Sequence, residues 1–567
     1  MSLTIEESNL PISAEVLEEL PIDGRSSAYP YPGLAKTDRF REIDLPVIVA
    51  TTQWYRLVIA PSLGGRILSF TGIPEAPERI EAESGSRRGV RWRHGIQLVL
   101  DGQERMTSLG PIEYSIEQSG TEGQILLAES ASYPLSWHLI LSLTDESPEI
   151  EIEAKIYNRS LYAAHYNAGL AWPDELGEIC AVEGDAAVWN PISGAAFALR
   201  SEGLLWRFSD AGLAHAARFL CTRPIGPHQL DTWSARLAPL GRFRTAPRVR
   251  GPLACAISSS GVELVSTGDD QRLKVVLLAE EGETLEASVM ASREVISVPF
   301  GDLKPREVLL LDESGNKRFR WTPEQRTFGL RKGSLPPEPL PKVPRLWSQR
   351  DSIEADGFDL RVRSISEYLL GARDLSDGEY LKAAWRFEQA LAFNAEDHLA
   401  WWMRAVSQRM SGDEATDGPE LPNAHFLAPL EPALRVEAYL RQPIEGGSEV
   451  NPLLAPLAEN RDAVIDVAVQ LINAGLHADA ARLLDEIRRR NDFPMLRYLL
   501  AYLCVRTGKG KLDAEAAMHV SAAANMEVEP PFPVRPFERH ALVSIQPRSK
   551  QDERLAFYAS LAQSCQP

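Results

Sequence analysis

Cysteine is scarce and scattered in this chain: five in 567 residues, at Cys180, Cys221, Cys255, Cys504 and Cys565. No two stand at a metal-ligand spacing and the number is odd. A disulfide framework or a cysteine metal centre is therefore not expected, and the thiols are read as reduced ones in a cytoplasmic protein. The opening MSLTIEESNLPIS has neither the basic stretch nor the apolar stretch of an export signal. Long apolar runs are missing as well; VVLLA at 275–279 is far shorter than a membrane span. Positive charge is in deficit, with 60 Lys and Arg against 79 Asp and Glu, a net −19. That balance argues against nucleic acid or an anionic membrane as partner, since both require basic surface. The histidines lack HxH or HExxH spacing. Gly64-Gly65 lacks the Lys-Ser/Thr of a phosphate loop, and Ser258–Ser260 lacks the GxSxG frame of a nucleophile elbow. No metal and no cofactor is expected.

Ordinary globular material is present: 44% hydrophobic and 25% charged residues, enough to fill two or more cores. Residues 1–24 are acidic and weakly patterned, and are read as an N-terminal arm. From 25 to 335 the pattern is β. Val47–Ala50, Tyr55–Ala60, Arg66–Phe70, Gln97–Leu100, Gly123–Ala128, Trp137–Leu143, Ile150–Tyr157, Val262–Ser266 and Leu273–Leu278 are short runs of β-forming residues. Gly, Pro, Asp, Asn and Ser punctuate them. IEIEAKIY at 150–157 alternates apolar and polar, as a strand with one wet face does. Long amphipathic helices do not intervene, so antiparallel rather than parallel sheets are expected. Residues 336–350 hold Pro336, Pro337, Pro339, Pro341 and Pro344, which cannot propagate a helix and are read as an extended linker.

From 351 to 567 the period becomes helical. Gly378 is followed by Gly412 after 34 residues, by Gly475 after a further 63 and by Gly508 after a further 33. A step of about 34 residues with glycine at the inter-helix turn is that of tetratricopeptide (TPR) repeats. Leu370-Gly371 supplies a large–small pair for one helix. Tyr380, Ala383, Phe387 and Ala390 supply the face of the next, Trp401 opens a second unit, and Ala468, Ala480 and Leu484 repeat the scheme around Gly475. Glu367, Asp374 and Ala395 stand where Trp, Tyr and Pro are commoner, and the stretch 413–451 breaks the step. A TPR-like α-solenoid is expected, with Arg404, Arg482, Arg488–Arg490 and Arg497 as candidates for reading an acidic peptide from a protein partner.

The segment WYRLVIAPSLGGRILSF at 54–70 resembles the opening of galactose-mutarotase-like β-supersandwich domains. More specifically it resembles a bacterial family that fuses such a supersandwich to TPRs. Residues 29–57, 95–117 and 150–172, VPFGDLKPRE near 300 and Asn525–Phe532 carry further likeness. The resemblance implies a sugar or oligosaccharide ligand, with mutarotase-like, epimerase-like or glycoside-directed chemistry if the domain is an enzyme. It implies Arg66, Gln97 and Asn167 as groups that hold hydroxyls, Trp92 or Trp172 with Asp174 as a stacking and binding set, and Glu113, Glu104 and His94 as acid/base candidates. Each has a plainer alternative: Arg66 a strand arginine in an ion pair, His94 a loop histidine, Glu104 and Glu113 solvated carboxylates. The chain also departs from the family at its sugar-facing set. Gln97 replaces a Glu, Val99 an Asn and Glu104 a His. Gln97 keeps hydrogen bonding but cannot transfer a proton near neutral pH. The alternative is a noncatalytic scaffold whose β domain is a degenerate sugar-binding fold.

Overall fold

The computed structural model describes residues 3–19, 34–72, 97–100, 112–129, 135–322 and 355–564, apart from short stretches within the last two ranges. The predicted order of β followed by α holds. Each of the nine runs singled out above falls in a strand. The sheets are antiparallel, as the wet–dry alternation requires.

A four-stranded sheet runs Thr4–Glu19, Leu34–Thr51, Tyr55–Ala60, Arg66–Gly72. Thr4–Glu19, within the segment 1–24 read as an N-terminal arm, is a strand paired along its whole length with Leu34–Thr51, while 20–24 lie outside the described residues. An eight-stranded sheet is built around Leu135–Thr144, Ile150–Asn158 and Leu230–Arg242, with Glu113–Ser119 at one edge. These two sheets share one core, in which Ile48, Leu57 and Ile59 of the first meet Ile125, Leu127, Trp137 and Ile152 of the second. Gly64 and Gly65 make possible the turn that joins Tyr55–Ala60 to Arg66–Gly72 within the four-stranded sheet. Both have positive φ, and a Cβ on Gly65 would stand 2.5 Å from Ile112 Cδ1. A smaller four-stranded sheet orders Arg207–Phe208, Ala216–Ile225, Ala164–Pro173 and Gln97–Leu100. Residues 248–321 form two more four-stranded sheets around a core of their own, with Leu264, Val275, Leu277 and Val308 at its centre.

The helices are α1 Ala355–Ser376, α2 Tyr380–Phe393, α3 His398–Ser411, α4 Pro432–Leu440, α5 Ala455–Glu459, α6 Arg461–Asn473, α7 His477–Arg488, α8 Pro494–Thr507, α9 Lys511–Ala524, α10 Pro536–Ile545 and α11 Glu553–Ser564. Sequence neighbours pack as hairpins around one continuous core. Gly378, Gly412 and Gly475 take the left-handed conformation at the ends of α1, α3 and α6; Gly508 lies outside the described residues. Ala383, Phe387, Ala390, Ala468, Ala480 and Leu484 are fully buried, as the repeat pattern predicts. Glu367 and Asp374, which stand where aromatics are commoner, are instead tied to Arg386 at 2.7 Å and Lys382 at 2.6 Å. The Pro-rich linker lies outside the described residues.

Candidate functional site

The strand Ile150–Asn158 alternates buried Ile150, Ile152 and Ala154 with exposed Glu151 and Glu153, then stops alternating. Tyr157, Asn158, Arg159 and Ser160 are all buried. The same change occurs on Leu135–Thr144, where Ser136 and His138 are buried on the face opposite Trp137 and Leu139. Both changes mark the place where the helices cover the sheet, and polar residues collect there.

Asp397 lies at the centre. It caps α3, accepting from Ala400 N at 3.0 Å, as an N-cap carboxylate does. Its Oδ1 also accepts from the Tyr157 hydroxyl at 2.6 Å, and its Oδ2 lies 2.8 Å from His228 Nδ1. Burial works to raise the Asp397 pKa, but the His228 charge and the bonds from His228, Tyr157 and Ala400 outweigh it and hold the carboxyl below its usual range. An ionised carboxylate only accepts, so Nδ1 of His228 carries the proton. His228 sits at φ 50 in the turn between two strands, the one non-glycine with positive φ among the described residues. Asn158 accounts for that turn by donating to the carbonyls of Ile225 at 3.3 Å and Gly226 at 3.0 Å. Asn394 closes it from the helix side, donating to His228 O at 2.7 Å.

A second carboxylate, Glu431, precedes α4. His398 Nε2 lies 3.5 Å from its Oε2 and Arg159 Nη1 4.0 Å from its Oε1. Desolvation pushes the Glu431 pKa up, yet bonding to His398 and the nearby His398, Arg159 and His138 charges bring it below the ordinary value. Arg159 reaches further, to Asp466 of α6 at 2.6 Å. The His398 ring packs on Tyr157 with centroids 3.9 Å apart. His138 borders the same cluster. Burial and the His398 and Lys155 charges outweigh the attraction of Glu431 and bring its pKa down to about 4. Its Nε2 has no hydrogen-bond partner among the described residues.

Of the sequence candidates, Glu113 joins this junction. It starts an edge strand of the eight-stranded sheet and meets Arg435 of α4 at 2.6 Å. Burial raises its pKa to about 7, with the Glu431 charge adding to that and Arg435 opposing it. Arg66 begins the strand Arg66–Gly72 in the four-stranded sheet, where burial brings its pKa down to about 10. Gln97 and Asn167 lie on neighbouring strands of another sheet, with Gln97 opposite Ala171 in register, and Trp172 follows on the same strand as Asn167. The side chains of those three are outside the described part, as are His94, Trp92, Glu104 and Asp174 altogether. A cavity of about 340 Å³ among the described residues of the β part is not lined by Arg66.

The junction has the groups of acid–base chemistry but no access. Asp397, Glu431, His228 and His398 are 0%, 1%, 2% and 2% exposed, so a substrate does not reach them. What the arrangement does is fix the helices on the sheet. The sequence offered small hints of it: a histidine inside the apolar run WHLILSL, and Asp397 just before a helix. The arginines expected to read an acidic partner are engaged within the chain. Arg482 donates to the carbonyls of Leu440 and Gln442, Arg488 to Asp485, Arg490 to Glu459 and Arg497 to Asp492. Cys504, Glu515 and His519 bring ligating atoms within 4.8 Å of one another. Arg497, which only donates, points at His519 Nδ1 at 3.1 Å and leaves the ring proton on Nε2, so this histidine has no lone pair for a cation. No helix among the described residues is long and apolar enough to cross a membrane.

No protein-family model matches the chain, and no curated protein matches it. Among solved structures, a TPR-domain containing protein from Parabacteroides distasonis is 12% identical at a TM-score of 0.35, over 99% of this chain and 87% of that one. A putative aldose 1-epimerase from Klebsiella pneumoniae is 10% identical at 0.26, over 42% of this chain and 92% of that one. The heparan sulfate lyase HepC from Pedobacter heparinus is 9% identical at 0.27, over 43% of this chain and 41% of that one. Overlaps this loose carry no argument about what the chain does.

Proposed function

We propose that this chain is a noncatalytic adaptor, in which a galactose-mutarotase-like β-supersandwich serves as the rigid base of a TPR-like helical array. The observation that supports this best is the use made of Glu113. The acid/base candidate that is described is committed to Arg435 of a covering helix rather than to open solvent. Gln97 in place of a carboxylate points the same way, since an amide does not transfer protons near neutral pH. The helical array is the module for a protein partner.

A second reading, saccharide binding without chemistry, draws on one observation. The strand Gln97–Leu100 pairs with the strand that carries Asn167 and comes close to the strand that begins with Arg66. Polarimetry of the full-length protein with α-galactose and α-glucose tests the first reading: mutarotation no faster than in buffer is expected. A rate enhancement lost in Glu113→Gln would overturn it. Thermal melts against a sugar panel test the second, because a ligand of the folded state raises the melting temperature. A rise abolished by Gln97→Ala or Arg66→Ala would establish a saccharide site, and no rise with any sugar would remove it.

A further inference from the structure

We infer that the edge of the N-terminal strand is a docking slot for an extended, basic peptide segment of a partner protein, an inference that stands apart from the adaptor reading. The strand Thr4–Glu19 pairs on one side with Leu34–Thr51. Its other side faces the edge strand Glu113–Ser119 of the eight-stranded sheet, and the two edges share no backbone pairing. At the start of the strand, side chains fill the difference. Leu3 N donates to Asp145 Oδ2 at 2.7 Å, Ile5 N donates to Gln118 Oε1 at 3.1 Å, and Gln118 Nε2 donates to Leu3 O at 2.7 Å. The main-chain groups of Leu3 and Ile5 therefore point away from Leu34–Thr51. In an antiparallel pair those of every second residue point the same way, which places the N–H and C=O of Glu7 and Asn9 on the open edge.

There the slot widens into the cavity of about 340 Å³, lined by Glu7, Asn9, Val47, Ser62, Ile112 and Tyr114. Val47 and Ile112 give it an apolar floor, and Ser62 Oγ is a buried oxygen with no hydrogen-bond partner among the described residues. Among the described residues one side-chain bond spans it, from the Tyr114 hydroxyl to Glu7 Oε1 at 2.8 Å. An exposed strand edge with unpaired N–H and C=O groups is a template for a further strand. The charge selects the partner. The strands Thr4–Glu19, Glu113–Ser119 and Glu122–Glu129 hold no Lys or Arg, and Glu6, Glu7 and Glu117 around the slot are exposed. The fitting occupant is an extended segment that places lysine or arginine against these glutamates and an alternate small apolar side chain in the cavity.

The test uses full-length protein and a fluorescein-labelled peptide alternating lysine and valine over eight residues. Fluorescence anisotropy should show saturable binding. It should weaken by about thirtyfold when two alternate amides of the peptide are N-methylated, which is about 2 kcal/mol for two lost main-chain bonds. A glutamate–valine peptide should not bind. Asn9→Pro removes only an outward N–H, which an edge strand tolerates, so it should leave the melting temperature unchanged while weakening peptide binding. Glu7→Lys, away from any core contact, should do the same. Binding indifferent to N-methylation and to Asn9→Pro, or no binding at all, overturns the inference. So does a concentration-dependent dimer in sedimentation that Asn9→Pro dissolves, because the occupant would then be a second copy.

Discussion

Tyr157, the last residue but one of the strand Ile150–Asn158, donates its hydroxyl at 2.6 Å to Asp397, the capping residue of α3, 240 positions further along the chain. The bond joins the β and α parts at a point sealed from water, with Tyr157 at 4% and Asp397 at 0% exposure. A buried carboxylate depends on each of its donors. Tyr157→Phe keeps the ring against His398 and removes only the hydroxyl, so it should cost about 1–3 kcal/mol. Equilibrium denaturation in urea measures this. Pairing the variant with Asp397→Asn should give a coupling energy well above the few tenths expected of independent sites.

Arg159 is the stronger tie, because it balances two buried carboxylates, Asp466 at 2.6 Å and Glu431 at 4.0 Å. Replacing one partner of such a group leaves an uncompensated charge, which costs about 3–5 kcal/mol. Arg159→Met should therefore destabilise the chain more than Tyr157→Phe does. Limited proteolysis should show the helices cut faster once they loosen from the sheet. Cleavage at the wild-type rate would mean that the junction is not what fixes the helices.

The strands and helix faces were legible in the sequence because their signals are local. IEIEAKIY alternates within eight residues, and Gly378 and Gly412 mark turns whose left-handed backbone favours glycine. The junction was not legible. Tyr157 finds Asp397, Arg159 finds Asp466 and Glu113 finds Arg435 across hundreds of positions, and no local pattern encodes such a meeting. Glu113, an acid/base candidate in the sequence, meets Arg435 of α4. The division of the β region between a core shared by two sheets and a second core in 248–321 was likewise unmarked, since strands of both cores read alike.

Gly371 tests the helix packing. A Cβ there would meet Phe387 Cε1 at 3.0 Å and Arg386 Cβ at 3.1 Å. Alanine normally stabilises a helix interior by about 1 kcal/mol over glycine, whereas overpacking costs about 1–3 kcal/mol. Phe387 is fully buried and has little room to yield, so packing should win and Gly371→Ala should lower the melting temperature. In a Phe387→Leu background the loss should shrink, as the ring contacts are gone and only Arg386 Cβ at 3.1 Å still opposes the gain in helix propensity.

The pH dependence of stability should rest on two groups acting in opposite directions. His138 drops from 6.5 to about 4 on folding. Between those values the unfolded chain holds the extra proton, so stability rises with pH across that window. Glu113 climbs from 4.5 to about 7. Between those values the folded chain holds the extra proton, so stability falls as pH rises. From about pH 4.5 to 6.5 the two slopes, each about 1.4 kcal/mol per pH unit, cancel and the wild type should be nearly flat. His138→Leu should expose the falling slope and Glu113→Gln the rising one, both read from urea unfolding midpoints at half-unit pH steps. Asp397 and Glu431, whose folded pKa values lie below the ordinary carboxylate range, contribute above that range and lose their contribution only as pH falls through it. A wild type that already slopes steeply between pH 5 and 6, with neither variant changing the slope, would show that these two groups do not govern it.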